Sequence, residues 1–314
     1  MNFIIHYLSP QRARARQGLV NSASRLYRIT TFQILICISL GICLNPYHYQ
    51  DIKLLDCTME DESHHVDFVT KSILHAIYLN TSFSLTNLET DLIHAYPTKE
   101  QVINTMQNFG VHLDDKIVLY SQPNFVKHST RVFHILKAYG FTDVTVLDGG
   151  LLKYIQDGYP TAPGVGYTGP VSQIEDLDNP FLYLAQMKEV IEFAEGKNPN
   201  IQLIDARDDE EYYGNDPHLP SYIRQGHVPG SIHIPSEEFL NPDDTFLKPP
   251  EIQKILESKG VDRNKDIIVM CRTGLKATVN YFALKMVGYP NVRLYDGSWV
   301  EYEDSNGPAV YFES

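Results

Sequence analysis

The residues of this 314-residue chain with the sharpest chemical meaning are a cysteine and the six positions after it, Cys271-Arg-Thr-Gly-Leu-Lys-Ala277. They follow the strand-like stretch Asp266–Met270, apolar over Ile267-Ile-Val-Met270, and open onto a stretch patterned as a helix, with apolar residues at Val279, Phe282, Ala283, Met286 and Val287 before Gly288. A thiol set between the end of a buried strand and the start of a helix meets converging backbone N–H groups and the positive end of the helix dipole, and both favour a thiolate. Gly274 allows the tight curl that turns those amides inward. Arg272 and Lys276 add positive charge, expected to lower the thiol pKa and to attract an anion. A glycine and two cations within five positions mark a reactive thiol rather than a cysteine that fills space.

The elements that must position this loop come in two copies. The first reads Ile52-Lys-Leu-Leu-Asp-Cys57, then Lys116-Ile-Val-Leu-Tyr120, then Val144-Thr-Val-Leu-Asp-Gly-Gly150. The second reads Ile201-Gln-Leu-Ile-Asp-Ala206, then Asp266-Ile-Ile-Val-Met-Cys271, then Val292-Arg-Leu-Tyr-Asp-Gly297. Asp56 to Asp148 is 92 residues and Asp205 to Asp296 is 91, so the repeat is a duplicated domain. Short apolar runs without polar alternation suit parallel strands buried on both faces. The segment Pro249 to Lys259, opened by proline and stopped at Gly260, predicts a helix between two of them. Strands alternating with helices give an α/β fold whose ligands sit beyond the carboxyl ends of the strands. The expected organisation is an N-terminal segment 1–45, a first domain over 46–158 that lacks the cysteine, a Pro- and Gly-rich linker over 159–180, and a catalytic domain over 181–314.

Composition narrows the classes. With 26 Lys+Arg against 39 Asp+Glu the formal charge is −13, which excludes the basic footprint of a nucleic-acid binder. Four cysteines cannot form a disulfide scaffold in so long a chain. Residues 1–50 hold Arg12, Arg14, Arg16, Arg25 and Arg28 and no acid, the composition of a mitochondrial-type presequence, with a cytoplasmic location as the alternative. The apolar run Phe32 to Leu44 falls short of the roughly 20 residues of a membrane-spanning helix, and the equal reading is an element packed on the first domain. Membrane association stays open at this point.

The chain resembles the two-domain rhodanese, or thiosulfate/3-mercaptopyruvate sulfurtransferase, family. The resemblance rests on Leu203-Ile-Asp-Ala-Arg207, Gly226-His-Val-Pro-Gly-Ser-Ile-His-Ile-Pro235, the Cys271–Ala277 loop and Tyr295-Asp-Gly-Ser-Trp299; in the first half only Leu54-Leu-Asp56, Arg131 and Leu147-Asp-Gly-Gly150 match. It implies two tandem rhodanese-like α/β domains, each a mainly parallel sheet flanked by helices, and ping-pong sulfur transfer without a cofactor or metal. Cys271 would take sulfur from a small anionic donor as a persulfide and pass it to cyanide or a thiol. Arg207, Arg272 and Lys276 would bind the donor, while Thr273, Gly274, Asp296 and Ser298 support the loop and Trp299 packs beneath it. Thiosulfate-type loops read Cys-Arg-Lys-Gly-Val-Thr and mercaptopyruvate-type loops Cys-Gly-Ser-Gly-Val-Thr; this loop is a hybrid. The mercaptopyruvate type also uses a first-domain histidine from a His-Ile-Pro-Gly-Ala stretch, which corresponds here to Ser72-Ile-Leu-His-Ala76. Thiosulfate is therefore the expected donor and mercaptopyruvate the alternative.

Other chemistries fit less well. A Cys-x5-Arg phosphatase needs arginine where Ala277 stands. His64, His65 and His75 lack zinc-site spacing. His227 is read as structural, Cys57 as a structural thiol with its pKa raised by Asp56 and Glu60, and Glu210-Glu211 and Asp243-Asp244 as solvated loop charges. The rival of a different class is a catalytically weak subunit that serves a larger assembly.

Overall fold

The structure is a computed structural model that describes residues 4–5, 52–58, 69–164, 166–218 and 222–311. Apart from Ile4–Ile5, the segment 1–45 lies outside the described residues, as do His64, His65 and Glu60.

The first half runs β1 (Ile4–Ile5), β2 (Ile52–Asp56), β3 (Ser72–Ile73), β4 (Ile77–Tyr78), α1 (Thr81–Ser84), α2 (Lys99–Asn108), β5 (Lys116–Tyr120), α3 (Val126–Ala138), β6 (Asp143–Leu147), α4 (Gly150–Gln156) and β7 (Thr161–Ala162). The second runs β8 (Leu184–Ala185), α5 (Met187–Ala194), β9 (Ile201–Asp205), α6 (Asp209–Tyr212), β10 (Gly226–His227), β11 (Ile232–His233), α7 (Pro249–Ser258), β12 (Asp266–Met270), α8 (Lys276–Met286), β13 (Val292–Tyr295), α9 (Ser298–Tyr302) and β14 (Val310–Tyr311). Two parallel five-stranded sheets result, ordered β1-β6-β5-β2-β4 and β8-β13-β12-β9-β11, with the small antiparallel ribbons β3–β7 and β10–β14 outside them. The orders are the same, and β1 takes the edge place that β8 takes in the second sheet. The apolar runs Ile-Val-Leu and Ile-Ile-Val-Met form the central strands, covered on both faces as uninterrupted apolar strands require.

Register fixes the site. Met270 lies opposite Asp205, and the Ala206 N–H donates to the Met270 carbonyl at 2.8 Å, so Cys271 leaves the sheet beside Arg207. The first half repeats this with Tyr120 opposite Asp56 and the Cys57 N–H on the Tyr120 carbonyl at 2.8 Å.

The halves share one apolar core across α3 and α8. Phe133 and Phe282 meet edge to face with centroids 4.8 Å apart, a pair worth about 0.5–1.5 kcal/mol beyond its area. Beside them the Thr130 and Thr278 hydroxyls are 2.8 Å apart. The Pro- and Gly-rich connection is strapped to the first half: β7 pairs with β3, Ser172 hydrogen-bonds Gln107 and Val111, and Ile174 and Leu177 are buried there. No helix among the described residues is long and apolar enough to cross a membrane.

Candidate active site

Cys271 ends β12 and is 2% exposed. The backbone N–H groups of Ala277 and Thr273, the first in the opening turn of α8, where helical amides lack partners within the helix, lie where they favour the thiolate. The Cys271 N–H donates to Ser298 Oγ at 3.1 Å, and Ser298 donates to the Tyr295 carbonyl at 2.9 Å. The Trp299 and Val300 amides hold the Cys271 and Arg272 carbonyls at 3.0 and 3.1 Å. Gly274 has φ +82°, and a Cβ there would meet the Asp296 carbonyl at 2.8 Å, so the curl requires glycine. Ser298 sits at φ 54°, its hydroxyl engaged on both sides of the turn.

The electrostatics correct one expectation. Burial pushes the Cys271 thiol above its ordinary value; the Ala277 and Thr273 amides pull it back, and Glu211 and Asp205 push it further up. The cations expected to lower it are neutralised by carboxylates. Arg272 binds Glu211 through Nε at 2.9 Å and Asp216 through Nη2 at 2.6 Å. Lys276 binds Asp208 at 2.9 Å, with Glu237 at 3.7 Å. Arg207, 2% exposed, is held by Asp205 at 2.7 Å and donates to the Gly226 carbonyl at 2.8 Å, its guanidinium lying 4.8 Å from the Trp299 ring centroid. Glu211 is thus a buried partner rather than a solvated charge, and burial raises its pKa. The local sequence shows cations beside a thiol, but their acids arrive from α6, from the residues on either side of it and from Glu237.

The first half reaches into this loop. His94 Nδ1 lies 3.2 Å from Thr273 Oγ1, and burial together with the charges of Arg131 and Lys127 pushes its pKa down to about 4, so the ring is neutral near pH 7. Arg131 binds Asp296 and donates to the His94 carbonyl at 2.7 Å; the Tyr96 N–H donates to Asp296 at 2.7 Å. Asp296 therefore ties the loop to the first half. Lys127, in the first turn of α3, lies close enough to feel the charges of Cys271, Lys276, Glu237 and Glu211. The sequence marked Arg131 only as a match to the family and gave no signal for His94, Tyr96 or Lys127, because contacts across 179 positions leave no local pattern. The duplication was the one available signal: Tyr96 caps Asp296 as Phe246 caps Asp148.

Other candidates fall elsewhere. His75 is exposed at φ 65°, so the residue reaching the loop is His94 instead. His227 stacks on Tyr212 at 4.1 Å, and burial lowers its pKa. Burial, then Asp56, pushes the Cys57 thiol well up. Asp243 accepts from Thr245 and Asp244 from the Asn124 amide, so neither is a free solvated charge. Among the described residues no group of His, Cys, Asp and Glu is arranged to hold a metal.

Two stretches, 43–157 and 187–305, match the model of the rhodanese-like domain. The chain is 31% identical over 228 residues to the sulfur carrier protein TtuD of Thermus thermophilus, covering 70% of this chain and 79% of that one. It is 29% identical over 210 residues to the 3-mercaptopyruvate sulfurtransferase of Rattus norvegicus, covering 67% and 69%. Its fold matches the crystal structure of SseA from Escherichia coli, described as a 3-mercaptopyruvate sulfotransferase, with a TM-score of 0.70, 24% identity and coverage of 81% and 94%. Paired parallel sheets, an amide-lined cysteine loop in the second and these matches make this chain a two-domain member of the rhodanese family of sulfurtransferases.

Proposed function

We propose that this protein transfers sulfane sulfur from thiosulfate to a thiophilic acceptor through a persulfide on Cys271. The Cys271 thiolate attacks the outer sulfur, the donor S–S bond breaks with its electron pair leaving on sulfite, and a Sγ–S bond forms. Cyanide or a thiol then removes the outer sulfur and regenerates the thiolate, so one transfer becomes two easier steps. The supporting observation is the seat of Cys271: buried, at a strand end, in a loop curled by Gly274 and braced by Ser298, with the Ala277 and Thr273 amides placed to favour an anion on sulfur. Because burial raises the thiol, the anionic donor must enter a site whose own thiol is mostly protonated near pH 7, and loading is expected to quicken as pH rises. Ser298 and Asp296 act by holding the loop.

One contact favours a second reading, mercaptopyruvate as donor. That donor leaves as an enolate and needs a proton, and the neutral His94 beside Thr273 forms a hydroxyl–imidazole pair able to relay one. The two donors are separated by His94→Gln. Steady-state transfer to cyanide should lose at most about twofold with thiosulfate and at least about tenfold with mercaptopyruvate if the relay operates. Transfer by the wild type no faster than by Cys271→Ser with either donor would instead support the assembly-subunit reading.

A further inference from the structure

Resting on the sulfur-transfer reading, we propose that Lys127 of the first domain is a donor-specificity residue that binds the anionic group of the donor remote from the transferred sulfur. Thiosulfate brings two negative charges to a site whose buried thiol must itself give up a proton to react. Every other cation around Cys271 is matched by carboxylate: Arg207 by Asp205, Arg272 by Glu211 and Asp216, Lys276 by Asp208 and Glu237, Arg131 by Asp296. These pairs present little net positive charge to a dianion. Among the described residues around the thiol, Lys127 is the cation that no carboxylate pairs.

The backbone fixes its position. The Lys127 carbonyl accepts the Thr130 hydroxyl at 3.1 Å and, across the domain boundary, the Thr278 hydroxyl at 3.3 Å. Thr278 lies two residues beyond Lys276 on α8, so the first turn of α3 is pinned against the helix that carries the cysteine loop. The Lys127 side chain is half-buried at this boundary, near enough to interact with Cys271 and Lys276. Burial and the neighbouring Lys276 charge destabilise its ammonium, and an incoming anion relieves both. A long, flexible, unpaired ammonium is suited to a small anion of variable shape.

The test compares thiosulfate with methanethiosulfonate, which transfers the same outer sulfur and releases methanesulfinate, but lacks the second charge. In Lys127→Met, KM for thiosulfate should rise about 10- to 100-fold, the loss of one charge-assisted contact, with kcat within about twofold. KM for methanethiosulfonate should move less than about twofold, and Lys127→Arg should restore thiosulfate. Equal shifts for both donors, or none, would overturn the proposal, since a general effect on thiol or fold does not discriminate between them. An arm independent of transfer is sulfate titrated into the Cys271→Ser protein by calorimetry. Sulfate should bind and weaken about tenfold or more in Cys271→Ser/Lys127→Met. Undetectable binding, or equal binding to both, overturns the role of Lys127. Absence of sulfur transfer from any donor by the wild type overturns the sulfur-transfer reading instead, with the sulfate arm still deciding the fate of Lys127.

Discussion

Both halves of the molecule build the same loop at the same place, and only one keeps it open for chemistry. After β12 come Cys271, Arg272, Thr273 and Gly274; after β5 come Ser121, Gln122, Pro123 and Asn124. The scaffolding is retained: the Leu151 amide holds the Ser121 carbonyl at 3.0 Å as the Trp299 amide holds that of Cys271, and Asn124 at φ 68° matches Gly274. The chemistry is removed in four ways. Serine replaces the thiol. Pro123 has no N–H at the position where the Thr273 amide favours the thiolate. Thr58 stands where Arg207 does, so Asp56 is met by hydroxyl and amide groups and burial raises its pKa. Finally, Asp244 from the second half reaches the Asn124 amide at 2.6 Å, placing a carboxylate in the vestigial loop, whereas His94 occupies the matching position at the active loop and brings no negative charge. The duplicated loops thus differ in what faces them: the first holds a carboxylate of the partner domain, and the second meets a neutral imidazole.

The largest difference should appear beneath the loops. Arg207→Met strands Asp205, which is fully buried, and should cost about 3–5 kcal/mol in urea unfolding, as for any buried pair broken on one side. Thr58→Val removes only a hydroxyl from Asp56 and should cost about 1–3 kcal/mol. Equal costs would break the distinction. Next, Gly274→Ala forces a side chain into left-handed backbone against the Asp296 carbonyl, and sulfur loading should fall about 10- to 100-fold, the effect of a misplaced reacting group. At the corresponding first-half position, Asn124→Gly should leave loading unchanged.

Smaller effects sharpen the account. Asp244→Asn keeps a residue that tolerates φ 61° but loses the charge, and should cost about 1 kcal/mol with transfer intact. The first half should also be the acid-sensitive one. His94 is held at about 4 and His134 at about 3, mainly by burial, against an ordinary 6.5. The unfolded chain then binds more protons than the folded one, so stability is complete above about pH 6.5 and falls as pH drops toward 4. Thermal scans across that window should show the decline, and His94→Gln should flatten part of it. A stability that stays constant from pH 7 to 4 would contradict the buried neutral state of these rings.

Much of this comparison was legible in the sequence. The unbroken apolar runs at 117–120 and 267–270 suited central parallel strands, Pro249 and Gly260 bounded α7, and the spacing from Asp56 to Asp148 and from Asp205 to Asp296 disclosed the duplication. Cys271 and Gly274 were legible because a strand end, a curl and a helix start are neighbours in the chain, and Ser298 only through the resemblance of Tyr295-Asp-Gly-Ser-Trp299 to the family. The pairing of Arg272 with Asp216, the approach of His94 and the bridge from Arg131 to Asp296 were not. The first depends on how the loop after α6 folds over the end of β12 and the other two on how the domains dock, and a charged side chain carries no mark in sequence of the partner that will neutralise it.

The central claim is that sulfur loads on the second loop and cannot load on the first. Intact-mass measurement after incubation with thiosulfate tests it directly, on the wild type, on Cys271→Ser and on Cys271→Ser/Ser121→Cys. The account predicts that the wild type alone gains one sulfur atom and that cyanide removes it. Sulfur gained by the Ser121→Cys protein would contradict the assignment of the missing Pro123 amide and the Asp244 carboxylate as barriers, and a wild type that gains none would contradict the sulfur-transfer account itself.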